Sequence, residues 1–211
     1  MKILLGLWHP AHVHTFRGTI RKLTDHGYNI KIVITNKDIT KKLLDLYDIE
    51  YEIIGQSHPK TWQKGVDLLK LEYQLVRIAR RFQPDLFLGR GSAAMAHVSK
   101  LFRRPYICFV DSEPAWITAP IQIPFMDIII TPVEYSRELN PDKHIKVNTY
   151  KEFAYLHPNH FQPNPSVLEM VGLSENEKFA IVRFVGWNAY HDVGQFGLSV
   201  DEKYLLIERL S

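Results

Sequence analysis

Apolar positions along the chain gather into short runs of strand length, at 2–8 (KILLGLW), 29–35 (NIKIVIT), 51–55 (YEIIG), 85–89 (DLFLG), 105–111 (PYICFVD) and 126–131 (MDIIIT). Between most of them, residues 14–26, 38–47, 63–82 and 92–102 place apolar side chains three and four positions apart, the spacing of one helix face. Strand and helix patterns that alternate in this way predict βαβ units. The runs are almost continuously apolar rather than alternating, as expected of parallel strands covered on both faces. The expected fold class is therefore α/β, a Rossmann-like doubly wound parallel sheet.

From residue 148 the pattern changes. The stretch NTYKEFAYLHPNHFQPNPS carries Pro158, Pro163 and Pro165 and no strand period, and it reads as a linker over 149–165 that closes a first domain of 1–148. A second unit then starts over 166–211. It holds a helix from Ser166 to a C-cap at Gly172, a buried-type strand over 178–185 and a capped amphipathic helix over 199–210. One strand has no ladder partner, so this segment is expected to be the beginning of a second Rossmann-like domain, cut short at residue 211.

Composition changes this picture little. The chain of 211 residues is 45% hydrophobic and 12% aromatic, ample for a packed core. A formal net charge of +3, dispersed along the chain, gives no argument for nucleic acid. Cys108 stands alone inside YICFV, which excludes internal disulfides and cysteine-based zinc sites and fits a reducing, cytoplasmic setting. The opening apolar run is too short for a signal peptide or a membrane span. From Lys60 to Arg81, six basic residues against two acidic ones give a helix a charge of +4, which suits either a solvated outer face or a weak peripheral contact with anionic lipid.

Candidate chemistry sits in loops that follow strands, where ligands bind in such sheets. LWHPAHVHTF places His9, His12 and His14 after the first strand. Helical spacing separates His12 from His14 by about 200°, so only His9 and His12 converge easily. The cluster reads as a metal site, as one general base with helpers, or as a histidine-rich helix entrance. In GRGS, Gly89 and Gly91 let backbone approach a ligand, Arg90 is suited to a phosphate or carboxylate, and Ser92 caps the next helix. Asp111 and Glu113 place two carboxylates after the fifth strand, to accept hydrogen bonds from sugar hydroxyls, to orient a histidine or to cap a helix. The stretch VGWNAYHDVGQFG, with Trp187, Asn188, Tyr190, His191 and Asp192, repeats the pattern of the first loop after the strand of the second unit. Two such loops suggest a ligand clamped between two units.

HPAHVHTF, GRGS, DSE, YKEFAYLHP and VRFVGWNAYHDVGQFGLS, in this order, resemble the DUF354 family, which is related to MurG-like and UDP-N-acetylglucosamine 2-epimerase-like proteins of the GT-B fold. The resemblance covers essentially the whole chain. It implies two Rossmann-like domains with a nucleotide-activated sugar between them, the acceptor on the N-terminal side and the nucleotide on the C-terminal side. It further implies His12 near the reacting centre and residues 186–197 near the diphosphate. The expected function is a GT-B glycosyltransferase for cell-surface or capsular polysaccharide or glycolipid assembly, acting on a glycan or lipid-linked acceptor. His12 serves as base, Asp111 or Glu113 orients it, and Arg183 with helix N-termini carries the diphosphate charge, with no cofactor or metal required. The alternatives are a UDP-sugar 2-epimerase, a metal-dependent hydrolase on His9, His12 and His14, and a non-catalytic sugar-binding fragment.

Overall fold

The computed structural model describes residues 1–36, 38–55, 61–111, 118–184 and 197–210. They form two compact units, Met1–Phe161 and Gln162–Ser211.

The first unit is a parallel sheet of seven strands: β1 (Lys2–Leu7), β2 (Asn29–Ile34), β3 (Glu52–Ile53), β4 (Leu86–Gly89), β5 (Tyr106–Phe109), β6 (Ile128–Pro132) and β7 (His144–Val147). Their order in the sheet is β3-β2-β1-β4-β5-β6-β7, with every pair parallel. The helices are α1 (Pro10–Asp25), α2 (Asp38–Leu46), α3 (Thr61–Phe82), α4 (Ala93–Leu101), α5 (Ala119–Gln122) and α6 (Phe153–Leu156). The doubly wound α/β architecture expected from the periodicity is thus present.

Two layers of core explain the unbroken apolar runs. Leu4, Phe87, Cys108 and Ile129 pack with Leu75 of α3 and Met95 of α4 on one face of the sheet. On the other, Ile3, Leu5, Leu7, Ile32, Ile34 and Leu88 pack with Val13, Phe16 and Ile20 of α1 and Leu44 of α2. Successive residues of β1 thus serve opposite layers. Each such Leu, Ile or Phe contributes about 1.5–3 kcal/mol by leaving water.

Two departures from the sequence expectations stand out. β7 is not predicted by the apolar pattern: HIKV carries two polar residues, and Ile145 remains 48% exposed, because this strand lies at the sheet edge and, among the described residues, pairs only with β6. The proline-bearing stretch expected as a linker is divided between the units. Residues 149–161 belong to the first, where α6 lies against α1.

The second unit holds α7 (Ser166–Met170) and α8 (Val200–Leu210). Residues 178–184, expected as most of a strand, are irregular and largely exposed. A strand without a hydrogen-bonded neighbour gains nothing over solvated backbone, so no ladder forms. The caps do form as expected. Gly172 takes the left-handed conformation after α7, at φ +78°. At α8, Ser199 N–H donates to Glu202 Oε2 (2.7 Å) while Glu202 N–H donates to Ser199 Oγ (3.2 Å).

Candidate functional site

The strand order reverses at β1. From β1 the chain passes through α1 to β2 and moves outward in one direction, whereas β4, on the other side of β1, leads through α4 to β5 in the opposite direction. Connections that diverge in this way open a crevice beyond the carboxyl ends of β1 and β4, which is where doubly wound sheets bind ligands. The chain leaves these strands through His9 and the first turns of α1, which carry His12 and His14, and through Arg90–Ser92 before α4.

Glycines shape the crevice floor. Gly6 and Gly89 are direct partners in the β1–β4 ladder. A Cβ on Gly89 would stand 3.1 Å from the carbonyl oxygen of Gly6, and one on Gly6 would stand 2.5 Å from the indole of Trp8. Bare backbone here lets Trp8 fold back over the strand end and join the core layer beneath α3 and α4.

The three histidines part company. His9 is the N-cap of α1, held extended at φ −148°, with Nδ1 accepting from Ala11 N–H (3.2 Å). His12 Nδ1 accepts from Trp8 N–H (3.2 Å), which puts the proton of the neutral ring on Nε2. The His9 and His12 rings lie 6.0 Å apart. His14 points elsewhere, toward the Tyr47 hydroxyl (3.4 Å) and the Tyr155 ring (5.6 Å). Among the described residues, no three His, Cys, Asp or Glu side chains are grouped as metal ligands.

At GRGS, Gly91 adopts φ +37° and its N–H donates to Cys108 Sγ (3.0 Å). Ser92 caps α4, its hydroxyl accepting from Met95 N–H (3.3 Å). Burial pushes the Cys108 thiol up to about 11, against a weaker opposing pull from the Gly91 N–H, so it stays protonated at neutral pH. Arg90 is 8% exposed and pairs with Asp111 Oδ1. The second carboxylate oxygen of Asp111 accepts from Lys151 Nζ, and Lys151 also reaches Glu152 (3.6 Å). Burial by itself would raise the Asp111 carboxyl. The hydrogen bonds and charges of Lys151 and Arg90 outweigh it and hold the group below its ordinary value.

Arg90 and Asp111 line two cavities at once. One, of about 230 Å³, is also lined by Trp8, His12, Gly91, Gln122 and Tyr135. The other, of about 420 Å³, lies along Thr15 and Phe16 of α1, Ile130 and Thr131 of β6, and Lys151, His157 and His160 beyond β7. Of the residues singled out in the sequence, the structure therefore brings together His12, Arg90, Gly91 and Asp111. His14 lies apart from them. Arg183 is exposed in the second unit. Glu113, Trp187, Asn188, Tyr190, His191 and Asp192 lie outside the described residues.

Lys151, His157 and His160 escaped the residue-by-residue reading. Lys151 and His157 lie in YKEFAYLHP, one of the stretches that carry the family resemblance, and His160 lies just beyond it in the proline-bearing stretch that reads as a linker. No local spacing rule connects Lys151 to a carboxylate 40 positions earlier.

Residues 1–191 match the model of a family described as a protein of unknown function, DUF354. No curated protein matches the sequence. In three dimensions the chain is similar to the UDP-GlcNAc 2-epimerase of Methanocaldococcus jannaschii, with a TM-score of 0.61 at 15% identity over 74% of this chain and 48% of that one. The UDP-GlcNAc 2-epimerase of Neisseria meningitidis, bound to UDP-GlcNAc, gives 0.60 at 16% identity over 74% and 49%. MurG of Acinetobacter baumannii gives 0.56 at 13% over 69% and 45%. The chain spans about half the length of these structures.

Proposed function

The chain belongs to the DUF354 family, and from that premise we propose that it is the acceptor-side part of a GT-B-type glycosyltransferase, with a nucleotide-activated sugar as donor and a glycan or lipid-linked acceptor. The observation that carries the reading is the pair of buried Arg90 with half-buried Asp111 at the point where the strand order reverses, lining a cavity with His12. The fold shared with MurG and the epimerases supports it.

In the reaction, an acceptor oxygen forms a bond to the anomeric carbon while the bond from that carbon to the diphosphate breaks, its electron pair leaving with the diphosphate. The N-terminus of α4 is proposed to offset the charge that develops there. His12 enters as a hydrogen-bond donor through Nε2 rather than as the base first expected, because its Nδ1 already accepts from Trp8. Asp111, with one oxygen on Arg90 and the other on Lys151, serves as a fixed negative charge and not as a proton acceptor. Glu113 is the proposed acceptor of the hydroxyl proton.

The test is turnover of UDP- and GDP-sugars with glycan acceptors, read as released nucleoside diphosphate, and of CMP-sugars, read as released CMP. His12→Ala is expected to lower kcat/KM by roughly 100-fold or more, the loss typical of one transition-state donor. His12→Gln, whose amide N–H reaches toward the position of Nε2, is expected to restore part of it, which a lost base would not allow. Full turnover by His12→Ala removes the role of His12. Isomerised nucleotide-sugar formed without acceptor replaces transfer by epimerisation. Activity abolished by chelation and restored by zinc returns the hydrolase alternative.

A further inference from the structure

On α3, residues Val66, Leu69, Lys70, Tyr73, Arg77 and Arg80 fall within an arc of about 100° when each residue turns the helix by about 100°. All six are exposed, with Val66 at 43%, Leu69 at 67% and Tyr73 at 64%. Over about 21 Å of helix, at roughly 1.5 Å per residue, the outward face thus runs from apolar to basic. The opposite side of α3 is engaged in the fold. Leu75, Ile78 and Ala79 are buried in the core, and Glu72 accepts from His97 Nδ1 (2.6 Å). Arg81 is paired with Glu52 (2.8 Å) and does not belong to the outward stripe.

We propose that this face of α3 docks on an anionic lipid surface, independently of the reaction assigned to the crevice. Leu69 and Val66 would enter the acyl boundary. Tyr73 would sit at headgroup level, as tyrosine does at membrane interfaces, and Lys70, Arg77 and Arg80 would meet phosphates. Charge decides between this occupant and a second copy of the chain. The six residues carry three cations and no carboxylate, so a symmetric pairing of two such faces would cover six cations with no carboxylate from either face to match them, whereas an anionic membrane complements them. No helix among the described residues is long and apolar enough to cross a membrane.

The experiment is sedimentation of the protein with phosphatidylcholine vesicles, with and without phosphatidylglycerol, at low and high salt. The wild type is expected to pellet with the anionic vesicles and to release at high salt. Each cation near such a surface strengthens partition roughly fivefold, so Arg77→Gln with Arg80→Gln is expected to weaken it about 25-fold. Leu69→Ser with Tyr73→Ser is expected to weaken it at least about tenfold through lost apolar burial. Both pairs lie on the exposed face, and their thermal melts are to match the wild type. A wild type that stays in the supernatant overturns the proposal, as do variants that pellet equally well. A stable dimer without vesicles that Leu69→Ser with Tyr73→Ser dissociates assigns the face to a second copy instead.

Discussion

Replacing Asp111 by Asn keeps the shape of the side chain and removes its charge. Arg90, with its side chain 9% exposed, then loses the one counter-ion it has among the described residues, while Lys151, 33% exposed, can turn to water or to Glu152. Removing one partner of a buried ion pair costs about 3–5 kcal/mol, and the partial exposure of Asp111 argues for the low end, about 3 kcal/mol. For a unit of this size that corresponds to a fall in Tm of roughly 6–12 °C. Arg90→Met should cost less, about 1 kcal/mol, because Asp111 keeps Lys151. Replacing both, by Arg90→Met with Asp111→Leu, should recover most of the loss, since no buried charge remains. The assay is urea unfolding followed by circular dichroism, run as a double-mutant cycle. If Asp111→Asn unfolds at the wild-type midpoint, or if Arg90→Met is the more damaging single change, the clamp is not the structural tie described above.

Acid should loosen the same tie. Because the folded Asp111 carboxyl lies below its unfolded value, its contribution is present above the unfolded value and is lost as pH falls through the folded one, which urea midpoints between neutral and acid pH will show. Cys108 behaves in the opposite sense. Its folded value of about 11 lies above the unfolded 9.0, so stability should fall as pH rises from 9.0 toward 11, and a thiol reagent at pH 8 should label the protein only after unfolding. Gly6→Ala drives a methyl into the Trp8 indole and should cost about 1–3 kcal/mol, with a changed near-ultraviolet circular dichroism spectrum reporting the displaced ring. Ser92→Ala removes the cap of α4 and should cost about 1 kcal/mol in thermal melts.

The sheet was legible where its strands are buried on both faces. Lys2–Leu7, Asn29–Ile34 and Leu86–Gly89 sit between two helix layers, and their continuous apolar runs say so. β7 was not, because an edge strand needs few apolar residues and HIKV borrows its order from β6. Residues 178–184 show the converse: the apolar run that predicts a strand is irregular there, because an apolar run does not by itself supply a ladder partner. In the site, helical spacing correctly parted His14 from His12, since direction around α1 is local geometry. The tautomer of His12 was beyond reach, because it depends on where the backbone N–H of Trp8 lands. The charge clamp was half visible. Arg90 and Asp111 stood out as polar groups at strand ends, but Lys151 enters only through the path of the chain after β7.

That clamp has a temporal side. A chain is made from its N-terminus, so Arg90 and Asp111 emerge 40 residues or more ahead of Lys151, and β6, β7 and the turn beyond them must be in place before the second cation arrives. Until then the carboxylate is matched by one cation alone. The crevice therefore reaches its final electrostatic balance only after the sheet is closed at its far edge, and a nascent unit that has formed β1 to β5 presents the right residues with the wrong charge.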